Sequence, residues 1–280
     1  MGSPFVLDET PAYAVVFKPP RVHTVPLKRD AGRSGHKETL LDWCGERFPQ
    51  VLTVQGRHPW EGGIVHRLDY ETQGLVLVAK TQAALHSFSA QQEAGYIIKE
   101  YRAFSTKGAC DLLPGFPPGF SHVPCVIASG FRPYGPGSKT VRPVVFPVQD
   151  GSDALGKPGR FRRIRALDQG RPYITEIIEP VPRATSIVDT PQDPSVAHSY
   201  FRLRIKRGFR HQIRCHLAWI GYPILNDTLY GGLPGEAILL RKPCFDTAYV
   251  DGVELPVLGL IAQGIRFYDP VSGVPRCYTL

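Results

Sequence analysis

The sequence holds no apolar run long enough to cross a bilayer. A membrane helix needs about 18 predominantly apolar residues, and the longest runs here, such as Leu75–Ala79, are strand-sized. The first twenty residues, MGSPFVLDETPAYAVVFKPP, lack a basic stretch followed by an apolar one, so no secretory signal is expected. No Cys-x-x-Cys pair occurs among the six cysteines, at 44, 110, 125, 215, 244 and 277. Scattered thiols fit a reducing compartment better than disulfides or a zinc site, and a cytoplasmic protein is expected. There is no Gly-rich loop ending in Lys-Ser/Thr, no Gly-x-Gly-x-x-Gly after a strand, and no His-x-Glu with Cys-x-x-Cys. These absences argue against nucleotide-triphosphate, dinucleotide and zinc-deaminase chemistry.

Acidic side chains are also in deficit, 25 against 33 Lys and Arg, for a net charge of +8. A polyanionic partner is the natural counterpart. The chain has 280 residues, 42% hydrophobic and 10% aromatic, a composition of a folded protein rather than a disordered one. At this length, roughly three quarters of the unfolded surface can be buried.

The patterning predicts a strand pair over Phe5–Phe17, stopped by Lys18-Pro19-Pro20. A helix follows over Thr39–Phe48, with Leu40, Leu41, Trp43, Cys44 and Phe48 at helical spacing. Gly62–Lys80 reads as strand, turn, strand. Thr81–Ala94 reads as a helix with Thr81 as N-cap and Leu85, Phe88 and Ser89 on one face. Tyr96–Phe104 alternates as a strand. From 108 to 171 helical periodicity is lost in a Gly/Pro-rich basic stretch, read as an insertion or a loop-and-hairpin region. Strands resume over Pro172–Glu179 and Ser199–Lys206. His211–Ile220 is helical, and the tail Gly259–Leu280 is strand, turn, strand. Strands outnumber helices without regular alternation, which predicts an α+β fold with a mixed or antiparallel sheet.

Three local features stand out. His66-Arg67-Leu68-Asp69 lies where an apolar strand meets a turn. On a strand, Arg67 and Asp69 share a face, and the arginine would hold the carboxylate ionised. A turn aspartate with a surface ion pair explains the same residues. Second, residues 202–214 carry Arg202, Arg204, Lys206, Arg207, Arg210 and Arg214 with no acid between them. They form either a phosphate-binding face or a solvated basic one. Third, Tyr101 in a strand is either a half-buried packing residue or a ring for stacking on a base. A further basic run, Lys157, Arg160, Arg162, Arg163 and Arg165, is an RNA grip or a solvated loop.

GGIVHRLDYETQGLVLVAKT at 62–81 resembles the catalytic motif of the RluA family of RNA pseudouridine synthases. KEYRAF at 99–104 resembles that family's Lys-x-Tyr strand, and RGFRHQIRCHLAWIGYPILNDTLYGG at 207–232 its His-Gln-Ile-Arg segment. LDETPAYAVVFKPPRVHTVP resembles the opening motif and LGLIAQGIRFYDPVSG the closing one. The five run in family order over nearly the whole chain. Departures are Gln73 after the motif Thr, Arg207-Gly208-Phe209 where Thr-Gly-Arg is usual, and Asn226 where Gly is common.

The resemblance implies one catalytic domain over 5–280 around a mixed sheet with a central cleft, flanked by helices and loops. No separate N-terminal RNA-binding domain is expected, and 108–171 is an atypical insertion. It implies isomerisation of uridine to pseudouridine in ribosomal or transfer RNA, without cofactor or metal, by a monomer whose partner is an RNA stem-loop. Asp69 takes the place of the catalytic carboxylate, Arg67 of the arginine that displaces the target base, and Tyr101 of the tyrosine that stacks on the uracil. Arg214 takes the place of the arginine that pairs with the aspartate. His66, Arg202, Arg204, Lys206, Arg210, His211 and Gln212 are the further candidates for RNA contact. Two rivals share the residues. One is a silent RNA-binding protein, which loss of Asp69 would have favoured. The other is a carboxylate hydrolase, which needs a second acid such as Glu71 or Asp227.

Overall fold

The computed structural model describes residues 2–27, 38–106, 113–120, 123–145, 171–181, 198–232, 248–250, 253–255 and 257–280. In chain order the elements are β1 (Phe5–Glu9), β2 (Tyr13–Lys18), α1 (Leu40–Arg47), β3 (Gln73–Ala79), α2 (Gln82–Ala94), β4 (Ile98–Thr106), β5 (Val126–Tyr134), β6 (Thr140–Val144), β7 (Tyr173–Val181), β8 (His198–Ile205), α3 (Gln212–Trp219), β9 (Ala248–Val250), β10 (Val253–Leu255), β11 (Leu260–Tyr268) and β12 (Pro275–Thr279). They fall into two compact units. One holds residues 1–102 and 236–280, the other 103–235, and β4 runs from the first into the second.

The first unit orders its strands β1-β2-β3-β11-β4, with β12 on β11. The β2–β3 ladder is antiparallel and the β3–β11 pair parallel, so the sheet is mixed as expected. Both β2 and β3 are buried along their whole length, which their unbroken apolar runs YAVVF and LVLVA require. Tyr13, Leu75, Leu77, Phe88, Ile97 and Phe267 anchor the core. Thr39 caps α1 in a reciprocal box with Asp42. Thr81 caps α2, which turns Ala84, Leu85 and Phe88 inward. Ser89, expected on that face, is exposed, and its hydroxyl donates back to the Leu85 carbonyl at 2.9 Å.

The second unit continues β4-β8-β7-β5-β6. Phe131, Val141, Tyr173, Cys215, Ala218 and Tyr230 form its core. The Gly/Pro-rich stretch contains a real hairpin, β5 to β6, in register from Gly130↔Val144 to Tyr134↔Thr140. The basic run at 157–165 lies outside the described residues.

One strand expectation fails. Gly62–Leu68 is a loop with a single bridge, Ile64↔Val78, so Arg67 and Asp69 do not share a strand face. The loop backbone meets β3 at this bridge, where Ala79 N–H donates to the Gly63 carbonyl at 2.7 Å and Val65 N–H to the Leu77 carbonyl at 3.1 Å. No helix among the described residues is long and apolar enough to span a membrane. Cys44, Cys125, Cys215 and Cys277 are free thiols.

Candidate active site

The motif at 66–71 has little regular structure, so its shape comes from what grips it. Thr24 clamps Leu68 on both sides: its Oγ1 donates to the Leu68 carbonyl at 2.9 Å and accepts from the Leu68 N–H at 3.1 Å. The Arg21 N–H donates to the Tyr70 carbonyl at 2.7 Å. Arg21, at a left-handed φ of 61°, pairs with Glu71 at 3.5 Å. The opening Lys-Pro-Pro segment and the His-Arg-Leu-Asp segment are thus one structure, although Thr24 and Leu68 are 44 residues apart in sequence. Within it Asp69 is half-buried, and its carbonyl accepts from Thr72 N–H at 3.1 Å to close the turn.

Lys18 was missed by sequence reasoning. It has no exposed surface, and its Nζ donates to the carbonyls of Pro19 and Val22, each at 2.8 Å. Burial lowers its pKa to about 7, and the carboxylates of Asp69 and Glu71 act against that shift. A cation therefore stands within electrostatic reach of Asp69. The signal was present as the lysine that ends a wholly apolar strand, YAVVFK.

Tyr101 sits on the inward face of β4 with Ile97, Lys99 and Ala103, as period-2 alternation requires. Burial first, then the charge of Asp69, raises its phenol, so the hydroxyl is protonated near neutral pH. Desolvation brings Lys99 down to about 8.

Arg67 is exposed and pairs with Glu61 at 3.2 Å. His66 is buried, its Nε2 accepts from Leu77 N–H at 3.2 Å, and burial lowers its pKa to about 3. The neutral imidazole braces the loop against the strand backbone.

In the second unit Arg214 is buried and makes a two-pronged pair with Asp227. Nε donates to Oδ2 and Nη2 to Oδ1, each at 2.7 Å, and the guanidinium lies 5.5 Å from the centre of the Tyr230 ring. Two of its nitrogens are therefore committed to an acid that sequence reasoning had treated only as a rival catalytic group. Asp227 also accepts from Leu229 N–H at 3.2 Å. Asn226, in place of the common Gly, has a left-handed φ of 63°, a conformation asparagine tolerates better than most residues.

Gln212 is buried, donating to the Ile174 carbonyl and Thr175 Oγ1 and accepting from Phe209 N–H at 3.0 Å, so it organises the start of α3. His211 is half-buried beside the Tyr230 hydroxyl at 3.1 Å, which in turn accepts from Val141 N–H. Burial, with Arg214 and Arg210 nearby, lowers the His211 pKa to about 3. Arg210 is exposed, and its Nη2 donates to the Ser138 carbonyl at 2.7 Å. Arg202 and Arg204 share a strand face, but β7 sets Glu176 opposite Arg204, 3.9 Å away. Lys206 is exposed just beyond the strand. No cluster of metal-ligating side chains occurs among the described residues.

A mixed sheet with a braced aspartate loop and a buried tyrosine in one unit, and a His-Gln-Ile-Arg helix in the other, define a class. Residues 12–219 match the RNA pseudouridylate synthase family, and the chain belongs to it. It is 29% identical over 209 residues to an uncharacterized RNA pseudouridine synthase of Chloroflexus aurantiacus, covering 74% of this chain and 50% of that protein. It is 27% identical over 259 residues to the ribosomal large subunit pseudouridine synthase D of Pseudomonas aeruginosa, covering 90% and 63%. The chain thus spans half to just under two thirds of the length of these relatives. In fold it is similar to human RNA pseudouridylate synthase domain containing 1, with a TM-score of 0.54 and 19% identity over 100% of this chain and 84% of that one.

Proposed function

We propose that the chain isomerises uridine to pseudouridine in RNA, with Asp69 as the catalytic carboxylate. The observation that carries this is the half-buried Asp69, held on a turn that Thr24 braces, within electrostatic reach of the Lys18 ammonium and the Tyr101 phenol. The reaction breaks the bond from the sugar to N1 of the ring and forms one from the sugar to C5. The C5 proton leaves and N1 gains one, so the product is an isomer and no group donor is consumed. An ionised Asp69 attacks as nucleophile or base, and nearby cations keep it ionised. Lys18 supplies one such charge below about pH 7. Arg214, which Asp227 holds, is kept as a candidate on its motif position alone.

Tyr101 offers a flat face on which the freed uracil can turn. Its protonated hydroxyl donates a hydrogen bond, and it can take up the C5 proton only by passing its own on to a further acceptor. Arg67 fills the stack that the flipped uridine leaves, a cost of a few kcal/mol for the RNA. To do so it must release Glu61. The relatives named for the large ribosomal subunit favour ribosomal over transfer RNA as substrate. A monomer in the cytoplasm is part of the same reading.

The test incubates wild type and Asp69→Ala with RNA from cells lacking the protein and maps new pseudouridines by chemical stops. New stops with wild type and none with Asp69→Ala are expected. Binding by both with no new stops from either would replace the enzyme with a silent RNA-binding protein.

A further inference from the structure

The loop from Gln55 to Glu61, QGRHPWE, enters the aspartate motif and plays no part in the chemistry above. Its two aromatic rings stack on each other. His58 and Trp60 lie with centroids 4.9 Å apart and planes within 6°. His58 is exposed and Trp60 half-buried, so the stack is backed by protein and ends outward in His58. A pure packing role would place the larger ring in a core, and neither ring belongs to the hydrophobic clusters of the unit.

The loop is pinned at both ends. Gln55 N–H donates to Gln82 Oε1 at 2.8 Å, and Gln82 Nε2 returns a bond to the Gln55 carbonyl at 3.3 Å. At the other end Glu61 N–H donates to the His58 carbonyl at 3.0 Å, and the buried Glu61 carboxylate holds Arg67 at 3.2 Å. A stack held this way loses little freedom when something settles on it. Its surroundings are cationic. Arg57 is exposed and makes no ion pair among the described residues, and Arg67 is exposed on the other side of Glu61. Arg67 is two residues from Asp69, at most about 7 Å along an extended chain.

An open aromatic stack flanked by arginines suits one ligand chemistry: a nucleobase with its phosphates. Every base offers a π-face irrespective of sequence, and arginine meets the phosphates. We infer that His58 and Trp60 form a stacking platform for an unpaired nucleotide flanking the target uridine, with Arg57 meeting its phosphates. The inference rests on the reading of the chain as an enzyme of RNA. The platform assigns that enzyme an unpaired segment rather than a continuous duplex. Glu61 is a positioning residue that holds Arg67 until the arginine is released into the base stack.

The test measures anisotropy of a fluorescein-labelled single-stranded RNA, and of the same sequence annealed to its complement, with the full chain. Base–aromatic stacking is lost by about fivefold to 150-fold in affinity when the ring is removed. His58→Ala and Trp60→Ala are expected to weaken single-strand binding within that range and to leave duplex binding as in wild type, while Trp60→Phe keeps most of the affinity. His58 is exposed, so His58→Ala reads the platform even where Trp60→Ala fails to fold. No single-strand binding by wild type, unchanged binding in both alanine variants, or equal loss on single strand and duplex would overturn the platform. Lack of new pseudouridine from wild type removes the enzymatic reading separately, and the affinities still decide whether the platform binds a base.

Discussion

Lys18 and the Arg214–Asp227 pair solve one problem, a charge kept out of water, in different ways. Lys18 is buried with only backbone carbonyls at hydrogen-bonding distance. Its folded pKa of about 7 lies below the ordinary 10.5, so between those values the unfolded chain binds the proton and the folded chain does not. Stability from this group therefore rises with pH across that window and is lost as pH falls to about 7. At about 1.4 kcal/mol per unit, the effect amounts to several kcal/mol. Urea unfolding of wild type and Lys18→Met at pH 7 and pH 10 checks it: wild type should gain on the variant as pH rises, and a constant difference would show the ammonium to be solvated. The Arg214 guanidinium is instead matched by a carboxylate. Removing one partner strands the other in the interior, so Asp227→Ala should cost about 3–5 kcal/mol of unfolding free energy. Arg214→Met combined with Asp227→Leu should cost less than the two single losses added. Additive losses in the urea cycle would mean that the pair is not coupled.

At the scale of elements, sequence periodicity was a good guide wherever one segment decides its own structure. The buried runs of β2 and β3, and the helices that follow Thr39 and Thr81, carry their signals in adjacent residues. What was illegible depends on distant partners. GGIVHRL has the composition of a strand, yet Thr24 and the His66 brace hold it as a loop. The basic run of β8 looked unopposed because the acid beside Arg204, Glu176, lies on β7. The Gly/Pro content of 108–171 left an insertion and a hairpin region open, and the β5–β6 hairpin answers it, with Gly135 and Gly137 taking the positive φ of its connection. Of the candidate site, the positions of Asp69, Arg67 and Tyr101 were legible as motif residues. The buried cation Lys18 and the acid that orients Arg214 were not, since neither spacing reveals burial. Gly74 shows how a motif residue serves an element. Its φ is +131°, and a Cβ there would come within 2.3 Å of the Ala262 carbonyl oxygen, where β3 pairs with β11. Gly74→Ala should lose about 1–3 kcal/mol from backbone strain alone, with the steric conflict added. A thermal melt indistinguishable from wild type would show that β11 can yield.

For the whole molecule, the excess of 33 basic over 25 acidic side chains does not translate directly into RNA contacts. Several cations are held by the fold: Arg214 by Asp227, Arg266 by Glu100 at 2.7 Å, Lys80 by Glu9 at 2.6 Å and Arg276 by Asp269 at 3.3 Å. Arg204 is partly offset by Glu176. Each has its counterion built in, so an approaching phosphate displaces a carboxylate rather than releasing an ion to solution. Arg57 and Lys206 are exposed and make no ion pair among the described residues, so their counterions come from the buffer. The salt dependence of affinity distinguishes the two kinds. On single-stranded RNA the slope of log affinity against log salt is about −0.7 per neutralised phosphate. Arg57→Ala and Lys206→Ala should each make the slope shallower by about 0.7. Arg204→Ala should change it by less, because the side chain removed was already sharing its charge with Glu176. Equal changes for all three variants would mean that the Glu176 carboxylate yields to the RNA and that the basic strand face acts as one surface, as its local sequence suggests.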